Sequence, residues 1–337
     1  MKVRRLFIFS LLVILFTGQA YAQKKRAQTS MKFLSVSTSA RAAAMGNAVT
    51  ALDDLGSMGA LYNPATLANY DGTFDVNIGN VEWIADINYN ALTLLYKPKN
   101  NHIGAFGFNI ISVDYGDILS TVVDKDAPLA YRDNGTINPT SVVFGFAYAN
   151  PLNERLSIGA NFRYVIQDLT SITTSYDATS GESTSEDYKI NAGVLDFGIH
   201  YKTGYKSLKF AMALRNFSPE VTYDEDESEL PLTFKIGISM NVFDLTNIDP
   251  KMHSLLISID ANRPRDFDEQ LFIGAEYTFL NRFSLRGGYI APNEEEDFSF
   301  GGGINQPFGD LKLSVDYAYT KFGVFGEVHR FGFKLDF

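Results

Sequence analysis

From Thr73 to the last residue, the sequence alternates apolar and polar residues in segments of about ten residues, separated by turn signals. This period of two predicts β-strands that have one apolar and one polar face. About ten residues is also the length that a tilted strand needs to cross a bilayer. The predicted strands are 73–82, 88–96, 102–113, 140–149, 155–167, 188–201, 207–216, 231–243, 254–263, 270–279, 282–291, 297–305, 311–320 and 328–337.

The two faces differ clearly within single strands. In the segment LKLSVDYAY, Leu311, Leu313 and Val315 share one face, whereas Lys312 and Ser314 lie on the other. A soluble β-sandwich shows the same alternation, so the period alone does not separate a sandwich from a membrane barrel.

Three further features favour a barrel. The connections alternate between tight turns, such as NPLNE and LNR, and the long polar stretches 114–139, 168–187 and 217–230. Basic residues concentrate in the tight turns, whereas the acidic runs 224–229 and 293–297 lie at the opposite ends of the strands. Tyr and Phe are frequent at the strand ends. Outer-membrane barrels have short periplasmic turns, long outer loops and aromatic girdles. We therefore predict an all-β fold, a transmembrane antiparallel β-barrel of about fourteen strands, with an even strand count and both termini on one side.

The chain ends within its last predicted strand. Phe331, Phe333, Leu335 and Phe337 share one face of this strand, and Phe337 is the final residue. An open sheet edge in lipid would leave backbone groups without hydrogen-bond partners, so a barrel must pair its last strand with its first. The alternating aromatic terminus is similar to the signal that barrel-assembly machinery recognises, and we predict that these four residues form such an assembly signal.

The first 22 residues have the composition of a signal peptide. A basic start is followed by the apolar run LFIFSLLVILF and by small residues that predict cleavage after Ala22. Loss of Lys2, Arg4 and Arg5 with this peptide takes the net charge from −10 to −13, which does not suggest nucleic acid as a partner. The sequence contains no Cys, so lipid attachment at a cysteine, disulfides and thiol chemistry are excluded.

Between the signal peptide (1–22) and the barrel (73–337), residues 23–72 are predicted to form an N-terminal plug. The Ala-rich stretch Ser39–Leu52 predicts one short helix with a cap at Ser39, and Asn63-Pro64 ends any helix near that point. We expect residues 33–70 to lie at the periplasmic mouth and to fold back inside the barrel. Arg41 would then face an inward carboxylate such as Glu276 or Asp260.

The segment Phe33–Ala68 resembles the N-terminal signature of the PorV/PorQ family of outer-membrane barrels, which are related in architecture to the FadL transporters. The family pattern is roughly FL-x5-ARAAGMGGA, an acidic stretch, then WNPAGLA. Departures at Ala44, Asn47 and Thr66 leave the subgroup open. The residues that match this signature and that we assign to the plug motif are Arg41, Met45, Gly46, Asn63, Pro64 and Ala65.

This resemblance implies a role in type IX protein secretion or surface attachment. The implied partners are the type IX translocon and the C-terminal signal domains of its cargo, in addition to outer-membrane lipid, lipopolysaccharide and the barrel-assembly machinery. The implied location is the outer membrane, reached through export and cleavage of the signal peptide.

We find no motif for catalysis, a cofactor or a metal ion in the sequence. The four histidines are dispersed without ligand spacing, and the acidic runs lack the spacing of a calcium loop, so we interpret the runs as solvated loop charge. Gly301–Gly303 is interpreted as a place of strand curvature or of close packing by the plug. We therefore predict a non-enzyme with no catalytic residues, no metal site and no cofactor. The predicted lumen-facing charges either line a pore or pair across the barrel; they are Arg163, Lys209, Arg215, Lys235, Asp260, Glu276, Arg286 and Asp316.

Two functions remain open from the sequence. The first is a secretion-associated barrel that binds protein. The second is a FadL-like transporter of hydrophobic small molecules, which requires an apolar pocket inside the barrel. The inward faces are mainly Gly, Ser, Asn and charged residues and give this second function little support. Plug residues could still build such a pocket; they are Leu34, Met45, Val49, Leu61 and Leu67.

Overall fold

The computed structural model describes residues 29–99, 103–124, 127–176, 183–223, 226–292, 296 and 298–337. The predicted cleavage after Ala22 lies outside these residues, as do His102 and parts of both acidic runs. Within them, fourteen strands form a closed antiparallel barrel, which confirms the predicted fold class and strand count.

The barrel strands agree with the predicted segments to within a few residues, except that the strands predicted at 155–167 and 188–201 are longer in the structure. In chain order they are β1 (Phe74–Glu82), β2 (Asn88–Tyr96), β3 (Ala105–Asp114), β4 (Ile118–Val123), β5 (Tyr131–Ile137), β6 (Thr140–Pro151), β7 (Leu156–Tyr176), β8 (Ser183–Lys202), β9 (Lys209–Phe217), β10 (Val221–Tyr223), β11 (Asp226–Ser228), β12 (Thr233–Asn241), β13 (His253–Pro264), β14 (Gln270–Phe279), β15 (Phe283–Ala291), β16 (Phe298–Phe308), β17 (Leu311–Lys321) and β18 (Glu327–Asp336). The order around the barrel is β1-β18-β17-β16-β15-β14-β13-β12-β9-β8-β7-β6-β3-β2.

The last strand closes the barrel against the first. Ile78 of β1 lies opposite Phe333 of β18, and Glu82 lies opposite His329. The backbone N–H of Phe337 donates to the carbonyl oxygen of Phe74 at 3.0 Å, so pairing continues to the last residue. No edge strand of the barrel is therefore left among the described residues, as a structure surrounded by lipid requires.

The period of two sorts side chains between lipid and lumen. In β1, Phe74 and Ile78 are 40% and 51% exposed, whereas Asp75 is 1% exposed and Asn77 is also buried. The exposed set is apolar and points outward, and the buried set is polar and points into the lumen. This is the reverse of a soluble sandwich, in which the apolar face is the buried one.

The two ends of the barrel differ. At one end, here called the short-turn end, the connections between barrel strands include a turn of two residues between β16 and β17. At the opposite, long-loop end, β4 pairs with β5 and β10 pairs with β11. Long loops are the outer side of outer-membrane barrels. The sequence prediction of a loop over 168–187 is wrong, because β7 and β8 continue through much of this stretch as paired strands.

Helices are short and lie mostly in the segment before β1. They are α1 (Ala40–Ala44), α2 (Gly59–Tyr62) and the 3-10 helices Lys32–Ser35, Gly56–Met58, Pro64–Asn69, Ile84–Asp86, Val242–Leu245 and Gly323–Phe325. The predicted cap is present, since the side chain of Ser39 accepts a hydrogen bond from the Ala42 N–H. The predicted extent to Leu52 is wrong, because the chain leaves the helix at Met45 and takes a positive φ at Gly46. In the described part of the chain, no helix has the length and apolar character needed to cross a membrane.

Candidate functional site in the barrel lumen

Residues 29–73, here called the lumenal segment, run through the barrel from one end to the other. At the long-loop end, the N–H of Ser30 donates to the carbonyl oxygen of Glu229 at 2.9 Å, and the hydroxyl of Thr29 donates to Asp266 at 2.8 Å. At the short-turn end, the N–H of Thr73 donates to the carbonyl oxygen of Phe337 at 2.9 Å. The predicted position at the periplasmic mouth therefore describes only the last part of a segment that spans the lumen.

The Met45-Gly46 motif rests on two glycines of the barrel wall. Gly274 of β14 and Gly288 of β15 are cross-strand partners. A Cβ atom on Gly274 would overlap Met45, and one on Gly288 would overlap the backbone of Gly46. At this motif the backbone of the lumenal segment is in direct contact with the barrel wall. Only glycine in the wall allows so close an approach.

The Asn63-Pro64-Ala65 motif has the same relation to a second glycine pair. Gly159 of β7 lies opposite Gly198 of β8, and Cβ atoms there would overlap Pro64 and Asn63 respectively. The Asn63 side chain accepts from the Ala65 N–H at 3.1 Å and donates to the carbonyl oxygen of Thr50 at 2.9 Å. It also donates to a wall carbonyl in β8. Asn63 therefore joins two turns of the lumenal segment to the barrel.

Arg41 joins the segment to the wall through charge. Its guanidinium donates to both carboxylate oxygens of Glu276, at 2.8 and 2.7 Å, and to Asp54 at 2.8 Å. Glu276 was one of the two carboxylates that the sequence suggested for Arg41. Arg286 in turn bonds Glu276 and donates to Asp316 at 2.6 Å. The result is an alternating chain of five charges, which we call the ion chain.

Other inward charges are also paired, either with a neighbouring strand or with the lumenal segment. Arg163 donates to Asp196 at 2.6 Å, and both side chains are 1% exposed. Lys209 of β9 bonds Asp53 of the lumenal segment. Asp260, the second carboxylate suggested for Arg41, instead accepts from the N–H and hydroxyl of Thr50. For these residues the structure favours pairing over lining an open pore, although the partners lie on a neighbouring strand or on the lumenal segment and not on the opposite wall.

A cavity of about 850 Å³ remains at the long-loop end of the lumen, here called the outer cavity. Its wall is rich in aromatic side chains from strands, loops and the lumenal segment. Tyr115, at the end of β3, donates or accepts a hydrogen bond with Ser141 at 3.3 Å, and burial raises the pKa of its hydroxyl. The aromatic residues that line the cavity include Phe33, Tyr62, Trp83, Tyr89, Tyr115, Phe272 and Phe322.

The sequence reasoning missed this wall. The five plug residues proposed for an apolar pocket, namely Leu34, Met45, Val49, Leu61 and Leu67, are buried in the packing of the segment and do not line the cavity. The cavity uses inward-facing aromatic residues at the long-loop ends of the strands. Tyr89 and Phe272 occupy the buried, inward-facing positions in the alternating pattern of their strands. This alternation was the sequence signal that could have assigned them to the lumen.

At the short-turn end a smaller cavity of about 350 Å³ is lined by polar groups. Members of the ion chain, Arg41, Glu276 and Arg286, contribute to its wall together with Lys334. Lys334 is itself paired with Asp75 at 3.0 Å. The two ends of the lumen thus differ in both size and chemistry.

The remaining sequence candidates are spread over the barrel. His200 is buried beside Asn69 and the Ala51 carbonyl, whereas His253 and His329 each contact a tyrosine hydroxyl. Among the described residues, no group of three or more His, Asp or Glu side chains is placed to hold a metal ion. Gly301 contacts Ala44 so closely that a Cβ atom would overlap it, which fits the interpretation of packing by the plug.

The four residues assigned to the assembly signal lie at the seam of the barrel. Phe331 and Phe333 point outward and are exposed, and Leu335 is half-buried on the same face. The ring of Phe337 stacks on that of Phe74 with centroids 5.3 Å apart.

Comparison with known proteins identifies relatives of this barrel. The family model described as "Type IX secretion system membrane protein PorP/SprF" matches residues 127–329. No curated protein sequence matches the chain.

Among solved structures, the toluene transporter TbuX of Ralstonia pickettii is similar with a TM-score of 0.55 and 15% identity, over 88% of this chain and 96% of that one. The toluene transporter TodX of Pseudomonas putida is similar with a TM-score of 0.56 and 12% identity, over 94% and 98%. At such identities the likeness concerns the fold alone.

Proposed function

This chain belongs to the PorP/SprF family of type IX secretion system membrane proteins, and from that premise we propose that it is a non-enzymatic outer-membrane component of type IX protein secretion or surface attachment that binds translocon or cargo proteins. The match over residues 127–329 carries the proposal, because it includes most of the barrel strands and the extended β7–β8 hairpin. The filled lumen supports a binding role, since the lumenal segment and the ion chain occupy the space that a wide pore would need.

The subgroup is part of the same proposal. The family model begins at residue 127, whereas the PorV/PorQ resemblance concerns Phe33–Ala68, so the two findings describe different parts of the chain. Together they support a type IX barrel with a PorV/PorQ-like lumenal segment. The apolar outward face supports contact with outer-membrane lipid and lipopolysaccharide, and the seam at Phe337 supports recognition by the barrel-assembly machinery.

Co-purification from outer membranes tests this function. An affinity tag placed in the turn at Gly309 leaves both termini unchanged, and a Cβ atom added at Gly309 would meet nothing within 4 Å. We expect translocon or cargo proteins to be recovered with the tagged barrel after gentle solubilisation. The matched control replaces the β4–β5 hairpin, residues 118–137, with a short Gly-Ser connection, so that partners bound at the long-loop end are reduced. Recovery of the barrel alone, under conditions that preserve a known outer-membrane complex, would contradict the proposal.

A second function is favoured by one observation, the outer cavity. Its volume of about 850 Å³ and its aromatic wall would suit a hydrophobic small molecule, as in a FadL-like transporter. The two toluene transporters supply this analogy through their fold only. Uptake of labelled toluene by cells with and without the protein distinguishes the functions, because a secretion component leaves uptake unchanged.

A further inference from the structure

The wall of the outer cavity has two sides of different chemistry. On one side are aromatic rings: Trp83 directly follows β1, Tyr89 lies in β2 and Phe322 directly follows β17. In the order of strands around the barrel, β12 is seven strands from β1 in either direction, so β12 and its neighbours form the opposite wall. That wall contributes polar side chains to the cavity, among them Lys235 of β12 and Asn262 of β13. A ligand that fits between these walls needs both an apolar face and polar groups.

The aromatic side is held in place by contacts between its rings. The ring of Trp83 makes edge-to-face contacts with Tyr89, at a centroid distance of 6.2 Å, and with Phe322, at 4.6 Å. The guanidinium of Arg330 lies over the same indole at 5.2 Å. Tyr89 and Phe322 are buried, whereas Trp83 is only partly buried. Trp83 is therefore a fixed aromatic surface that part of the cavity can reach.

The opposite side supplies amide groups in fixed orientations. Asn262 donates to the side-chain oxygen of Gln270 at 3.0 Å, and the amide of Gln270 donates to the carbonyl oxygen of Pro292 at 3.3 Å. The Oδ1 atoms of Asn262 and of Asn47, which also lines the cavity, have no hydrogen-bond partner among the described residues. A buried acceptor without a partner is costly, and a ligand hydroxyl can donate the missing hydrogen bond.

The charges of the wall balance one another. Among the described residues that line the cavity, cations and carboxylates are equal in number, three of each: Lys32, Arg215, Lys235, Asp266, Asp268 and Glu296. Lys32 bonds Asp266, and Lys235 is a diagonal cross-strand neighbour of Asp260. A wall without an excess of either sign is complementary to a ligand without net charge.

We propose that the outer cavity binds a neutral oligosaccharide, with the C–H face of one sugar ring on Trp83 and its hydroxyl groups on Asn262 and Gln270. A sugar ring combines an apolar face with hydroxyls that both donate and accept, whereas a hydrocarbon would leave the amide side without hydrogen bonds. The volume of about 850 Å³ lies in the range of small-molecule sites and accommodates about two or three sugar rings. This site goes beyond the proposed function, and each can fail without the other.

The position of the cavity determines from which side the saccharide enters. Phe267 and Asp268, in the loop between β13 and β14, line the cavity at the long-loop end. Phe267 is 42% exposed, and Lys32 of the lumenal segment lies over its ring at 4.6 Å. Because long loops are the outer side of such barrels, the ligand is a saccharide from outside the cell.

The chain carries its own reporter for this site, because Trp83 is the only tryptophan in the sequence and lines the cavity. The probes are three neutral trisaccharides, namely maltotriose, cellotriose and triacetylchitotriose, and toluene is the apolar comparison. Each is titrated into the purified barrel while the emission of Trp83 is recorded, and calorimetry gives an independent affinity. The barrel is kept in an amine-oxide detergent, since maltoside and glucoside detergents carry sugar head groups that would compete.

We expect at least one trisaccharide to bind saturably with a Kd below about 1 mM. Asn262→Leu removes the amide at similar size and should weaken that binding about tenfold without weakening the binding of toluene. Trp83→Leu, measured by calorimetry, should weaken it to a similar extent. The matched control is Asn305→Leu, the same change in the wall of the short-turn cavity, which should leave the affinity unchanged. Heat-modifiable mobility shows whether each variant is folded.

Four results would overturn the proposal. The first is the absence of saturable binding of all three trisaccharides up to about 10 mM. The second is an unchanged affinity in folded Asn262→Leu or in folded Trp83→Leu. The third is tighter binding of toluene than of every trisaccharide, which assigns the cavity to a hydrophobic ligand. The fourth is binding of purified lipopolysaccharide without binding of any free trisaccharide. None of these results changes the recovery of translocon or cargo proteins with the barrel, so the proposed function is judged separately.

Discussion

The two ends of the lumen are built from the same alternating strands but have opposite chemistry. At the short-turn end, the inward charges form closed pairs, including the ion chain from Asp54 through Arg41 and Glu276 to Arg286 and Asp316. At the long-loop end, cations stand beside aromatic rings and an open cavity remains. The comparison teaches that paired charges close the short-turn end of the barrel, whereas aromatic side chains leave a cavity at the long-loop end.

Cysteine labelling is the sharpest test of which end of the barrel faces the outside of the cell. Because the sequence has no Cys, single cysteines report without background. Leu119→Cys, on the β4–β5 hairpin, should react with a membrane-impermeant maleimide on intact cells, since Leu119 is 83% exposed. Leu152→Cys, in the turn after β6, should react only after the outer membrane is opened. Labelling of Leu152→Cys alone on intact cells would reverse the assignment of the ends.

Removal of the lumenal segment tests whether it closes the barrel. A chain without residues 33–70 should still insert, because the strand pairing lies entirely in 74–336. It should conduct ions in a planar bilayer, whereas the wild-type protein stays closed. A deletion of 118–137, which removes the β4–β5 hairpin and no strand of the barrel, is the matched control and should remain closed. If the 33–70 deletion conducts no more than wild type, the inward charges alone close the barrel.

A substitution at Phe337 tests the pairing of β18 with β1 at the short-turn end. Phe337→Asp removes the ring that stacks on Phe74 and places a charge at the membrane face. We expect export across the inner membrane to continue and most of the heat-modifiable barrel to be lost from the outer membrane. Phe308→Asp changes an exposed aromatic residue of β16, two strands away from β18, and serves as the control for a charge at the same end. An unchanged yield for Phe337→Asp would remove this residue from the assembly signal.

Glu276→Gln breaks the ion chain at its centre. Arg41 and Arg286 would each lose a carboxylate, and removal of one partner of a buried pair costs about 3–5 kcal/mol. We expect lower thermal stability of the barrel and brief channel openings in bilayers. The control is Lys189→Gln, whose exposed pair with Asp168 at 3.5 Å contributes about 0–1 kcal/mol. Equal effects of the two changes would mean that the ion chain does not secure the segment.

A pair of neighbouring glycines gives the smallest and most local test. Gly288→Ala puts a methyl group against the backbone of Gly46 and should destabilise the protein by about 1–3 kcal/mol. Gly287→Ala, one residue earlier and facing outward, meets only the ring of Phe300 at 4.0 Å and should change stability by less than about 0.5 kcal/mol. Urea midpoints measure both. A similar midpoint for the two variants would show that Met45-Gly46 does not rest on the wall.

The sequence by itself determined the strands, their faces and the closure of the barrel. Lipid outside and a polar lumen inside impose a period of two on every strand, and this signal is local, so it is legible without the structure. For the same reason the inward positions of Arg163 and Asp316 were predictable. The helix over Ser39–Leu52 was overestimated, because Ala-rich propensity gives no sign of the turn at Gly46 that the wall glycines require.

Only the tertiary structure decided how the lumen is filled. Arg41 bonds Glu276, which is 235 residues away in the sequence. Ser30 bonds Glu229 at the long-loop end, opposite to the end at which β1 begins. Such contacts depend on the path that a segment without periodicity takes through the barrel. The sequence alone could not select among them, because many inward charges were chemically equivalent partners for a residue such as Arg41. The outer cavity arises from the same packing. The lumenal segment spans the lumen, and the space that it leaves at the long-loop end is lined by the inward side chains that the barrel brings together there.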